Sequence, residues 1–254
     1  MTETHTVGIG DQTPIARTGT ATEEPALLDL IDFSETSDAI EPHKFEHLRA
    51  SITPWVAQQA GCYAELLRSR GNIVGAIRMA ELSIIAASLI RDTVRLSANM
   101  LTMANLYYAQ GQPDEARRLY ETALSLPAAG ASAERIGAHQ GLANYHTDAK
   151  QYHDAAYHLD KYLPFIAAIT SPTATEGILR QALAVYANSH DIAGILFCTD
   201  RLGDPLVKKF EDILSEQAVS IDEALLIVGR LRNFGALTLA QRLRDHWRHL
   251  GRFQ

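Results

Sequence analysis

Ser97-Ala-Asn-Met-Leu-Thr-Met-Ala-Asn-Leu-Tyr-Tyr-Ala-Gln-Gly-Gln-Pro-Asp-Glu-Ala-Arg-Arg-Leu-Tyr-Glu-Thr-Ala-Leu-Ser-Leu-Pro127 decides the fold. Apolar residues recur three and four apart on both sides of Gly111, which predicts two amphipathic helices joined by a short turn. Gly111 permits the left-handed backbone that ends the first helix, and Pro113 with Asp114 opens the second. Ala104 and Ala116 are small where two antiparallel helices must cross closely, and Tyr107 and Tyr120 fill the space beside the crossing.

The same order of residues returns on either side. Upstream it reads Tyr63-Ala64, Leu67, Gly71, Ile73, Ala76 and Ala80; downstream it reads Leu142-Ala143, His146, Tyr152, Ala155 and Leu159. From Ala76 to Ala116 is 40 residues and from Ala116 to Ala155 is 39. A weaker fourth unit runs through Leu183-Ala184, Asp191 and Leu196, with Asp191 in place of the turn glycine. A fifth runs through Ile227-Val228, Leu231, Gly235, Leu237, Ala240 and Trp247, with Arg244 at a normally apolar position. Between these two units, Pro205 to Leu214 reads as an extra helix.

With Met103, Ala104, Tyr107, Gly111, Ala116, Tyr120, Ala123 and Pro127 in or next to their expected places, the 97–127 unit resembles a tetratricopeptide repeat, and the likeness extends over roughly residues 45 to 250. The usual period of that family is about 34 residues, so the repeats here carry longer helices or connectors. The resemblance implies an all-α, right-handed solenoid of about five antiparallel helix pairs, occupying residues 43–254. Such a solenoid binds other proteins on the face made by the first helix of each pair and has no reaction chemistry of its own.

Projecting that register places Gln58, Glu65, Arg68, Thr102, Asn105, Tyr108, Gln140, Asn144, Gln181 and Asn188 toward a peptide-binding groove, with the small residues Gly61, Ala98, Gly137 and Gly141 among them. Carboxamides both donate and accept, so spaced Asn and Gln can grip a peptide backbone whatever its side chains. Some members of the family hold a C-terminal carboxylate with a lysine one turn before an asparagine. Asn105 matches, but Leu101 stands at the lysine place and the later basic pair is missing, which disfavours capture of heat-shock-chaperone tails.

Residues 1–42 read as a disordered acidic tail. Between Met1 and Glu46 ten acids face only Arg17 and Lys44, a local charge of −8 in a chain of net charge −7. The opening 22 residues lack periodic apolar positions and cannot offset the entropy of ordering. Within the tail, Ala26-Leu27-Leu28-Asp29-Leu30-Ile31-Asp32-Phe33 alternates acids with large apolar groups. That is the pattern of a short motif that orders when docked, either on a partner or on the chain's own body. The tail is too short and too acidic to be a DNA-binding helix-turn-helix domain.

The remaining classes find little support. Six arginines face one aspartate between Arg230 and Gln254, without aromatic stacking platforms or a nucleic-acid module, so no nucleic-acid partner is expected. No run reaches the ~18 apolar residues of a membrane span. The Met-Thr-Glu-Thr-His start lacks the order of a signal peptide, and Cys62 and Cys198 do not form a disulfide framework, so a cytoplasmic protein is expected. Among ten histidines, His43 with His47 and His246 with His249 have ligand-like spacing but no supporting cysteine and carboxylate set, and His139, His146, His153 and His158 read as packing or surface residues. Gly8-Ile-Gly10 lacks the strand and helix of a dinucleotide fingerprint, and nothing in the spacing brings Cys62 to His139. No enzyme activity, metal or cofactor is expected. The function expected is a protein-interaction scaffold, with a regulatory peptide or small-ligand receptor and a dedicated subunit chaperone as alternatives. Self-association through degraded end repeats would involve Trp55, Phe210 and Trp247.

Overall fold

The computed structural model describes residues 23–36, 50–127, 132–166, 170–203 and 220–249, and these are all helix and turn. The chain falls into two units, residues 1–130 and 131–254. Expectations for residues 1–22, for the 205–214 helix and for Phe210, His43 and His47 lie outside the described residues.

The first unit holds α1 (Glu23–Thr36), α2 (Pro54–Ser69), α3 (Ile73–Leu89), α4 (Thr93–Ala109) and α5 (Pro113–Ser125). The second holds α6 (Ala133–Asp148), α7 (Tyr152–Tyr162), a 3-10 turn (Leu163–Phe165), α8 (Pro172–Asn188), α9 (Ile192–Arg201), α10 (Ile221–Asn233) and α11 (Leu237–His249). The pairs α2/α3, α4/α5, α6/α7, α8/α9 and α10/α11 are the five helix pairs expected from the sequence, each packed on its own partner.

Local chemistry sets the helix starts. Thr53, Asn72, Asp92, Ser132, Ser171, Asp191 and Ser220 each accept a hydrogen bond from the backbone N–H three residues on, satisfying a donor that the helix leaves unpaired. The α5 start uses Pro113 instead, with Asp114 and Glu115 in the positive first turn.

The reversals inside the pairs are alike. Gly71, Gly111, Lys150, His190 and Gly235 all have left-handed φ, between 56° and 78°. After each, the next N–H reaches back to the carbonyl five residues earlier: Asn72 to Leu67 at 3.0 Å, Gln112 to Tyr107 at 2.9 Å, Gln151 to His146 at 2.8 Å, Asp191 to Tyr186 at 2.8 Å and Ala236 to Leu231 at 2.9 Å. The fourth turn residue is therefore His190 rather than Asp191, which caps the following helix through Gly194 N–H at 3.1 Å. Successive turn residues are 40, 39, 40 and 45 positions apart, and the long last interval contains residues 204–219.

Small side chains let the helices approach. Ala64, Ala76, Ala80, Ala104, Ala116, Ala138 and Ala155 are fully buried. A Cβ on Gly61 of α2 would stand 2.6 Å from Asn99 Oδ1 of α4, so Gly61 is a packing residue rather than a groove residue. Asn99 itself is buried and donates to the Ser83 carbonyl of α3 at 3.0 Å. A Cβ on Gly194 would stand 2.2 Å from the Tyr186 ring.

The tail boundary expected at residue 42 needs correction, because residues 23–36 form α1. Ala26, Leu27, Leu30 and Ile31 are buried in one cluster with Ile52, Val56, Ala57, Ala60 and residues of α3. Thr53 donates to Glu23 at 2.5 Å, tying α1 to the cap of α2. The apolar half of the 26–33 motif thus docks in cis, against α2 and α3 of the first pair. Trp247, expected at an exposed edge, is fully buried in the second unit's core with Leu231, Leu239 and Leu243.

Two changes test these assignments by thermal and chemical melts. Leu30→Ala removes a buried side chain from the α1 contact and is expected to destabilise the first unit by about 2–5 kcal/mol. Lys150→Gly relieves a left-handed backbone on an exposed residue and is expected to raise stability by up to about 1 kcal/mol.

Candidate functional site

The residues projected onto the groove divide between the units. In the first unit Gln58, Glu65 and Arg68 lie on α2, and Thr102, Asn105 and Tyr108 on α4. Gln58 is exposed, and its Oε1 accepts from Arg95 Nη2 of α4 at 3.4 Å, so the first helices of neighbouring pairs lie side by side here. Arg95 is held in turn by Asp92, the cap of α4. Glu65 and Arg68 pair with each other at 2.7 Å along one helix face. Asn105 is exposed and accepts from the Tyr120 hydroxyl of α5 at 2.7 Å; burial pushes that hydroxyl's pKa up to about 12, so it remains a donor. Thr102 and Tyr108 are half-buried.

In the second unit Gln140 and Asn144 lie on α6, and Gln181 and Asn188 on α8. Asn144 and Gln181 are exposed, Gln140 half-buried, and Asn188 donates to the Ala184 carbonyl of its own helix at 2.7 Å. Gly141 is buried and Gly137 half-buried on α6.

The second unit holds two side-chain clusters, of which only the histidines were noted from the sequence, as packing or surface residues. In the first, Arg230 of α10 donates to Asp191 at 2.5 Å and to both oxygens of Asp160 of α7, at 2.7 and 2.9 Å. Tyr186 of α8 donates to the same Asp160 at 2.8 Å. One guanidinium thus ties together α7, the α8–α9 turn and α10. Burial pushes the Asp160 carboxyl up, against the lowering influence of Arg230, and burial with Asp160 alongside pushes the Tyr186 hydroxyl far up. The available sequence signal was a charged residue inside an apolar face: Asp160 between buried Leu159 and Tyr162, and Arg230 between buried Val228 and Leu231. Their separation of 70 positions gave no hint that they meet.

The second cluster joins His139 and His146 of α6 to His158 of α7. His139 and His158 meet through their Nδ1 atoms at 2.9 Å, and His146 stacks on His158 with ring centroids 5.4 Å apart. Burial, helped by the charges of Arg135 and Lys161, lowers the His139 pKa to about 4; burial with the neighbouring imidazoles lowers that of His158 to about 4. The Nδ1 contact needs one donor and one acceptor, so the accepting ring is neutral and the two rings cannot both be protonated while it lasts. His153 is exposed. Among the described residues no group of three or more His, Cys, Asp or Glu is placed to hold a metal ion. Cys198 is buried, and burial raises its thiol to about 12; Cys62 is exposed and not bonded to it. Among the described residues no helix is long and apolar enough to cross a membrane.

Comparison with known proteins agrees with this architecture. The tetratricopeptide repeat profile matches residues 98–126, the unit around Gly111. Among solved structures, BtubC (BKLC) from P. vanneervenii is similar at 15% identity, over 93% of this chain and 94% of that one, with a TM-score of 0.50. The TPR-like kinesin light chain repeats of Podosopora anserina are similar at 14% identity, over 84% of this chain and 97% of that one, with a TM-score of 0.47. No curated protein sequence matches the chain. The likeness to BtubC shows the helical fold alone, and the profile marks residues 98–126 as a tetratricopeptide repeat, a unit that generally mediates protein–protein interaction.

The histidine cluster carries a pH prediction. A histidine held near 4 in the folded state and near 6.5 when unfolded contributes stability that is complete above 6.5 and lost as pH falls toward 4. The groups facing the pair are Arg135, Lys161, Asp154 and His146. Thermal melts at pH 7.0, 5.5 and 4.5 are expected to show a steeper acid loss for the natural chain than for the His139→Asn/His158→Gln double variant, whose carboxylates titrate alike.

Proposed function

We propose that this tetratricopeptide-type chain is a non-catalytic scaffold that holds an extended segment of a partner protein along the first helices of its pairs, in the cytoplasm. The observation that carries the reading is the Gln58–Arg95 contact between α2 and α4, which sets the polar faces of two successive first helices beside each other. Gln58 and Asn105 there, and Asn144 and Gln181 in the second unit, offer exposed carboxamides able to donate to and accept from a peptide backbone. The Glu65–Arg68 pair adds a bipolar patch that favours a partner with both charge signs over one of a single sign. Unpaired cysteines fit a reducing compartment.

The test uses the full chain. Affinity capture from source-cell lysate with identification by mass spectrometry is compared for the natural chain and the Gln58→Ala/Asn144→Ala/Gln181→Ala variant, whose exposed changes leave the melting temperature intact. A partner held by the first and reduced about tenfold or more by the second supports the groove. A partner held equally by both places recognition elsewhere and overturns it.

A further inference from the structure

The second unit contains a cavity of about 420 Å³ walled by α7, the α8–α9 turn and α10, with none of the carboxamides assigned to the groove in its lining. Its size suits a ligand side chain with its neighbour rather than a single water. The lining is of two kinds. Ala156, Ile192, Ala193 and Ile227 form apolar walls, and Tyr157 and Leu226 stand at the rim, 57% and 64% exposed. The polar part is the Asp160–Arg230–Asp191 network together with Glu223, with the imidazoles of His153 and His190 completing the wall.

The charges do not cancel. One guanidinium serves two carboxylates, leaving one negative charge fixed by salt bridges of 2.7 and 2.5 Å, and exposed Glu223 adds a second. Low-dielectric walls around a fixed charge concentrate its field, so the cavity attracts a cation and repels an anion. At the rim the exposed Lys161 ammonium lies 5.1 Å from the Tyr157 ring centroid and offsets one of the two negative charges, so the net charge stays negative, and its flexible stem lets it leave the ring when a ligand covers it.

We propose that this cavity binds a lysine or arginine side chain of a partner's extended segment, with an adjacent large apolar side chain resting on Tyr157 and Leu226. A basic side chain fits both linings, since its methylene stem runs along the apolar walls while its head reaches the carboxylates. A peptide suits the site better than a small free amine because the two exposed rim residues offer apolar area outside the cavity, which only a flanking residue would cover. The site does not depend on the groove reading, since none of its lining residues is among the carboxamides that carry it.

The experiment pans a random nonapeptide display library against the full chain and measures the synthesised consensus peptide by calorimetry. The expected consensus pairs Lys or Arg with a neighbouring Leu, Ile, Met or aromatic residue. Glu223→Lys is expected to weaken it about tenfold, and Tyr157→Ser/Leu226→Ser about fivefold. All three positions are exposed; a lysine in the first turn of α10 opposes the helix dipole only weakly and Tyr157 gives up an edge contact to His158, so the variants stay folded at the temperature of the titration, which their melting curves check. The Gln58→Ala/Asn144→Ala/Gln181→Ala variant is expected to bind the peptide unchanged. An acidic or uncharged consensus, no enrichment, or a basic peptide indifferent to both cavity variants overturns the proposal. A basic peptide lost only in the carboxamide variant also overturns it, while supporting the groove.

Discussion

Each helix pair depends on one backbone hydrogen bond: the N–H that follows the left-handed residue, returned to the carbonyl five positions earlier. That bond satisfies a carbonyl the ending helix would leave unpaired, and it fixes the angle at which the next helix departs. Because the five instances share their geometry, the second helix of each pair falls back on the first in the same way. The alanines at the crossings can then stay small in every repeat. The capping side chain directly after the turn, as with Asn72 and Asp191, turns the reversal into a single unit of stop and start.

The fold was legible because this unit leaves marks on the sequence. Glycine shows the turn at 71, 111 and 235, and alanine shows the crossing at 76, 116 and 155. The fourth turn was misplaced by one residue because His190 adopts the left-handed backbone without advertising it, and the neighbouring aspartate drew the assignment. Residues 23–36 were read as tail for a different reason. Their acids suggested solvent, whereas the apolar residues between them form one helical stripe whose worth is visible only when its contact with α2 and α3 is in view. Trp247 was read outward because the end repeats looked incomplete; the second unit's core closes over it.

Of the residues assigned to the candidate groove, solvent exposure was legible for several, but not their partners. Helical register placed Gln58, Asn105, Asn144 and Gln181 on surfaces, and they are exposed. Register could not show that Asn105 would serve the Tyr120 hydroxyl, that Asn188 would turn back on its own helix, or that Gly61 would be filled by Asn99. These depend on side chains from other helices. The Asp160–Arg230–Asp191 network lay furthest from reach, because it joins three successive helix pairs across 70 positions; the imidazole cluster lies within one pair that the repeat pattern announces, and only its ring-to-ring contacts were beyond the sequence.

The two kinds of turn residue differ in what they offer to solvent. A glycine reverses the chain and presents nothing, so Gly71, Gly111 and Gly235 are interchangeable parts. Lys150 and His190 perform the same reversal while carrying a side chain outward, and His190 does so on the wall of a cavity. The backbone penalty of such a residue is about 1–2 kcal/mol and falls on a solvent-facing position rather than on the core. Repeats of this kind can therefore diverge from one another at their reversals, acquiring individual chemistry there while the alanine crossings that align them remain common to all.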